Sequence, residues 1–92
     1  MIEKKNMNLR KRLMYQCTHM GTKELDLLLG EFAKKKLKNL SIKQLKELDL
    51  ILKYNDHSLF LYITKKMKPP NIIYNQTLKS IIFFNKYLNI EI

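Results

Sequence analysis

An all-α fold, a compact five-helix bundle, is predicted by three features of the chain. It holds only two Gly and two Pro in 92 residues, far too few turn residues for a fold of many strands. Its apolar residues recur at i, i+3, i+4 and i+7 through most of the length, the spacing of one helix face. Helix start signals, a capping box at Ser41 among them, fall between those stretches. A single domain over 1–92, with its core from about residue 7 to 90, is expected, because single cores form in chains of roughly 50 to 200 residues.

The first helix is expected from about Met7 to Thr18, with Leu9, Leu13 and Cys17 at i, i+4 and i+8, and Gly21 marks the stop behind it. A second runs from about Thr22 to Leu37, placing Leu25, Leu28, Leu29, Phe32, Ala33 and Leu37 inward. Lys34, Lys35, Lys36 and Lys38 follow at its end, where the helix dipole favours cations. Ser41 and Gln44 form the capping box of a third helix reaching about Lys53, with Leu45, Leu48 and Leu52 inside. Asn55 and Asp56 are both good N-caps for a short fourth helix. Its centre, Leu59 to Ile63, is apolar on every side and is expected in the middle of the core. Pro69-Pro70 breaks the chain, and a fifth helix from about Tyr74 to Leu88 turns Leu78, Ile81, Ile82 and Leu88 inward.

A chain of this size buries only about 60 to 65% of its unfolded surface, which excludes a deep, many-walled catalytic pocket. Cys17 stands alone, so it forms no internal disulfide or metal cage and reads as a buried thiol in a reducing compartment. No segment reaches the roughly 18 apolar residues of a membrane span, and the start, Met1 to Asn6, lacks the apolar stretch of a secretory signal. A cytoplasmic protein without membrane insertion is expected, bacterial in view of the missing presequence and in the mitochondrial matrix for a eukaryotic source. Eighteen Lys and Arg against eight Asp and Glu give +10, which favours an acidic partner. The abundance of Lys, Asn and Ile also matches an AT-rich genome, which raises the charge without any binding purpose.

The candidate chemistry is sparse. Glu24 and Asp26 lie two apart on a helix, about 200° from each other around the axis, and cannot act as a dyad. First-turn acids favour the helix N-terminus, yet Glu24 also borders the buried face beside the Gly21 turn, where a carboxylate suits a partner contact. His19 and His57 have no companions at metal spacing, and no base is fixed beside Cys17. No phosphate loop, nucleophile elbow or dinucleotide fingerprint occurs, so an enzyme is not expected. Arg10, Lys11, Arg12 and the Lys34 to Lys38 run could neutralise phosphates. Nucleic-acid binding is nevertheless disfavoured, because no base-reading helix stands out and Phe60, Tyr62, Phe83 and Phe84 sit in apolar runs. A small basic nucleic-acid-binding module is the alternative reading.

Arg12-Leu13-Met14-Tyr15, followed by Gly21-Thr22-Lys23-Glu24-Leu25-Asp26-Leu27-Leu28-Leu29-Gly30-Glu31-Phe32-Ala33, resembles the signature of the succinate dehydrogenase assembly factors that promote flavin attachment. The similarity extends through Leu37, Leu40-Ser41, Asn55-Asp56 and Lys68-Pro69 and so covers most of the chain. The resemblance implies a small helical chaperone-like factor that binds the flavoprotein subunit of succinate dehydrogenase, and in some bacteria fumarate reductase, and favours covalent attachment of FAD. It further implies no cofactor of its own, the FAD belonging to the client; a monomer is expected. The family hallmark is Arg-Gly-x-x-Glu; Gly21 and Glu24 match it, and Met20 holds the Arg position. Arg12 and Lys23 are then the cations placed to serve the turn. Partner contact is implied for Arg12, His19, Met20, Gly21, Thr22, Glu24 and Asp26, with Gly21 supplying a backbone conformation that other residues resist.

Overall fold

The computed structural model describes the backbone over residues 2–88 and the side chains over 8–86. Five α-helices follow one another: α1 (Ile2–Cys17), α2 (Lys23–Lys36), α3 (Ile42–Ile51), α4 (Asp56–Ile63) and α5 (Gln76–Leu88), with a 3-10 turn at Leu37–Asn39 behind α2. The expected five-helix bundle is the one found, and its radius of gyration is 12.4 Å, near the value of about 12 Å that length scaling gives.

Each boundary has a local cause. α1 starts upstream of the expected Met7, because no breaker lies between Ile2 and Met7 to stop a helix from extending. Thr22 caps α2, its side chain accepting the Leu25 N–H at 3.2 Å. The Ser41 box is complete: the Gln44 N–H reaches Ser41 Oγ at 3.2 Å, and the Ser41 N–H reaches Gln44 Oε1 at 2.9 Å. Asn55 takes the cap of α4, accepting from the Ser58 N–H at 2.8 Å. Asn75 accepts from the Leu78 N–H at 2.9 Å, so α5 begins two residues after the expected Tyr74.

α2 lies at the centre and packs against α1, α4 and α5, while α3 closes the bundle against α1 and α5. Leu25, Leu28, Leu29, Phe32, Ala33 and Leu37 are all buried, as their spacing predicts, together with Leu13, Cys17, Leu45, Leu48, Leu78 and Ile81. Leu52 and Ile82 pack at the margin, and Ile51, Ile73 and Phe84 join the core in addition. The inward placement expected for Leu88 lies outside the described side chains.

The central position expected for α4 is not found. Leu59, Tyr62 and Ile63 are buried, whereas Phe60 and Leu61 are partly exposed. Eight residues give α4 one face against α2 and α5 and leave the opposite face outside. The Lys66 ammonium, 5.6 Å from the Phe60 ring centroid, covers part of that face. Phe83 also departs from its apolar run and stands 69% exposed beside buried Phe84, since neighbours on a helix point about 100° apart.

Candidate functional site

The chain between α1 and α2 reverses over five residues, and every polar group it exposes must find a partner. Thr18 ends α1 by donating its hydroxyl to the Met14 carbonyl at 2.8 Å. The His19 ring stacks on Tyr15 with centroids 4.0 Å apart, and its Nδ1–H donates to the Tyr15 carbonyl at 2.9 Å. That bond assigns the proton to Nδ1 and leaves Nε2 as the ring's other polar atom. His19 is therefore a fixed, exposed part of the turn.

Two carboxylates from two helices then hold the turn itself. The Met20 N–H donates to Asp26 Oδ1 at 3.2 Å, and the Gly21 N–H donates to Asp56 Oδ2 at 2.7 Å. The Met20 side chain folds against the hydrophobic core, so the position where the family signature carries Arg presents an apolar group directed to the protein interior. Thr22 is occupied as the α2 cap, and its carbonyl accepts the Asp26 N–H at 2.9 Å.

Gly21 is needed here for a reason other than the expected one. Its φ is not positive, so the backbone conformation is open to any residue. A Cβ at this position would instead run into the Asp56 carboxylate, which sits where it does in order to accept the Gly21 N–H. The glycine admits a neighbouring helix's side chain rather than a rare backbone angle.

The two acids that spacing alone could not tell apart are thereby sorted. Asp26 is engaged by the turn backbone, whereas Glu24 is exposed and has no hydrogen-bond or ion-pair partner among the described residues. Leu27, one turn along the same helix face, is 50% exposed. Glu24 and Leu27 together offer a partner a carboxylate and an apolar side chain on one side of α2.

Arg12 does not reach this turn. Its guanidinium forms a bidentate pair with Asp49 on α3, Nη1 to Oδ1 at 3.1 Å and Nη2 to Oδ2 at 3.3 Å. Lys23, exposed beside Glu24, is the cation the local sequence provides. Asp56 is the component that sequence reading missed. The available signal was the Asn55-Asp56 pair, two N-cap formers in a row, since one helix uses only one cap and the other carboxylate is left for a different N–H.

The arrangement suits recognition. Cys17 is fully buried and desolvation pushes its thiol up to about 12, so the nucleophilic thiolate is absent at neutral pH. Among the described residues no group of three or more His, Cys, Asp or Glu is placed to hold a metal ion, and no helix is long and apolar enough to cross a membrane.

Comparison with known proteins agrees with the resemblance read from Arg12 to Ala33. The family described as the flavinator of succinate dehydrogenase matches residues 11–85. Similar proteins include the mitochondrial succinate dehydrogenase assembly factor 2 of Dictyostelium discoideum, 39% identical over 71 residues that cover 77% of this chain and 50% of that protein. Those of Caenorhabditis elegans and Cryptococcus neoformans are each 40% identical, covering 66% and 67% of this chain and 53% and 35% of their own. The chain thus spans between about a third and a half of the length of these curated relatives.

Proposed function

The chain belongs to the flavinator family of succinate dehydrogenase, and from that premise we propose that it is an assembly factor. It binds the flavoprotein subunit of succinate dehydrogenase, and of fumarate reductase where that enzyme is present, and promotes covalent attachment of FAD there. The flavin and the nucleophile belong to the client. A helper with no nucleophile accelerates such a reaction by holding mobile client segments in attacking geometry. The burial of Cys17 supports a non-catalytic role. The factor acts as a monomer, in the bacterial cytoplasm or, in a eukaryote, in the mitochondrion, as the names of its relatives have it.

One observation carries the site. The Gly21 turn is fixed by two carboxylates from different helices, while Glu24 beside it has no partner among the described residues. A preorganised turn bearing one unengaged carboxylate binds a client's donors with little ordering cost. Covalent flavin fluorescence of the client subunit, read in a denaturing gel from cells with and without this protein, tests the reading. Flavinylation is expected to fall without it and to return with the intact chain or with Glu31→Ala. Glu24→Ala should not restore it, while leaving the helical spectrum unchanged. Full restoration by Glu24→Ala would exclude this turn as the contact, and undiminished flavinylation without the protein would exclude the function.

A further inference from the structure

A second surface lies at the other end of α2. The last turn of that helix and the outer face of α5 bound an open groove of about 790 Å³. It sits roughly 20 Å from the Gly21 turn, given 1.5 Å of rise per residue along α2. Phe32 and Phe84, in edge-to-face contact at 5.6 Å, form its floor together with Leu40. Phe83 forms one wall. Lys35, Lys36 and Lys79 stand around the rim, all exposed, and among the described residues no acidic side chain lines the groove. Across Phe83 a smaller depression of about 460 Å³ adds Lys65 and Lys86, again without a carboxylate among the described residues.

The carboxylates that are described lie elsewhere. Glu24, Asp26 and Asp56 surround the Gly21 turn, Glu47 and Asp49 are on α3, and Glu31 faces Lys34 at 3.7 Å rather than Lys35 or Lys36. A compositional excess of Lys does not by itself separate the signs in this way. An exposed Phe between two hollows and a rim of one charge call for an occupant with both an apolar anchor and negative charge.

We propose that this groove docks an acidic amphipathic peptide segment of a protein partner. A large apolar side chain of that segment inserts beside Phe83, and its carboxylates meet Lys35, Lys36 and Lys79. The groove is open along one side, whereas a small-molecule site encloses most of its ligand. A single nucleic-acid strand needs successive rings for its bases. Among the described residues Phe83 is the one ring free for stacking here, since the Lys79 ammonium covers Tyr74 at 5.0 Å from the ring centroid. The proposal concerns a surface separate from the Gly21 turn and is tested without the client, so its failure and that of the flavinylation reading are distinct.

The test is fluorescence anisotropy of a short fluorescein-labelled peptide, a Phe-Leu pair between runs of Glu, titrated with the full chain. Saturable binding that weakens as salt is raised is expected. Phe83→Ser, and separately the pair Lys36→Glu and Lys79→Glu, should weaken it by about tenfold or more, as loss of an interface anchor does. Lys46→Glu on α3 and Glu24→Ala should leave it unchanged, with circular dichroism confirming that every variant folds. Absence of saturable binding, or binding indifferent to the groove variants, overturns the proposal. So does tighter binding of a thymidine oligonucleotide or of phosphatidylglycerol vesicles through the same residues.

Discussion

At the scale of single residues, the two glycines carry opposite expectations. Gly21 faces the Asp56 carboxylate, and Gly21→Ala displaces that group from the N–H it accepts. The loss should be about 1 kcal/mol in urea unfolding, the value of one partly exposed hydrogen bond. Asp56→Ala removes the same bond, so a double-mutant cycle should show strong coupling, the pair costing little more than the larger single change. Gly30, inside α2, is different: a Cβ there would lie 3.5 Å from the Cys17 carbonyl and 3.9 Å from Thr18 Cα, ordinary contact distances. Gly30→Ala should raise stability by about 0.5 to 1 kcal/mol through helix propensity, and destabilisation would show that α1 and α2 pack more tightly than these distances imply. Cys17 gives a pH expectation. The folded state holds the thiol protonated up to about 12, against an ordinary value of 9.0. The folded chain therefore keeps a proton that the unfolded chain releases between those values. Its contribution is full below pH 9 and is lost as pH rises toward 12. Thermal melts should show the wild type losing more stability than Cys17→Ala between pH 8 and 10.5, and iodoacetamide should not label the native thiol at pH 8.

At the scale of elements, the end of α4 holds a device that its composition did not announce. Lys65 has φ of 63°, the left-handed region that glycine favours. The Lys66 N–H donates to the Leu61 carbonyl at 2.8 Å and the Lys65 N–H to the Tyr62 carbonyl at 3.2 Å, the two bonds of a Schellman stop. Lys65→Gly keeps both bonds and relieves the Cβ strain, so it should raise the melting temperature by an amount equivalent to about 1 kcal/mol. The starts of α2, α3 and α4 were legible, because Thr22, Ser41 and Asn55 are side chains whose only local use is to accept from the first turn. Stops were less so. α3 ends at Ile51 rather than Lys53, where the chain closes through short bonds such as Lys53 N–H to the Leu50 carbonyl, 3.2 Å, that any sequence can make. The centre of α4 misled for a related reason: periodicity reports which residues are apolar, and the burial of an all-apolar turn depends on which helices happen to flank it.

At the scale of the whole molecule, Glu24 and Gly21 stand out as a candidate site in sequence because turn, helix start and carboxylate follow one another there, whereas Asp56 lies 35 residues from Gly21 and only the fold brings it there. The contacts of the basic cluster on α1 were hidden from the sequence for the same reason. Arg10, Lys11 and Arg12 read together as cations for phosphates, yet Arg10 Nη1 donates to the carbonyls of Leu37 and Leu40 at 2.7 and 3.0 Å, and Arg12 is held by Asp49. Two of the three are thus engaged within the bundle, which weakens the nucleic-acid reading. The two arginines differ in what they support. Arg10 places a guanidinium over carbonyls at the end of α2 and its 3-10 extension, where the dipole favours a cation and where the Leu37 carbonyl otherwise accepts only the Leu40 N–H at 3.1 Å among the described residues. It ties α1 to the chain that turns from α2 toward α3. Arg12–Asp49 is an exposed ion pair, whose worth is about 0 to 1 kcal/mol and falls with salt. Arg10→Ala should therefore cost about 1.5 to 3 kcal/mol, in the range of hydrogen bonds to charged groups. Arg12→Ala should cost less than about 1 kcal/mol. Raising salt should erase most of the Arg12 effect and little of the Arg10 effect, because the partly buried donors are shielded from ions. Urea unfolding of both variants at low and high salt decides it: equal losses, or equal salt sensitivity, would show that α1 is held by its apolar face alone and that neither arginine fixes its place.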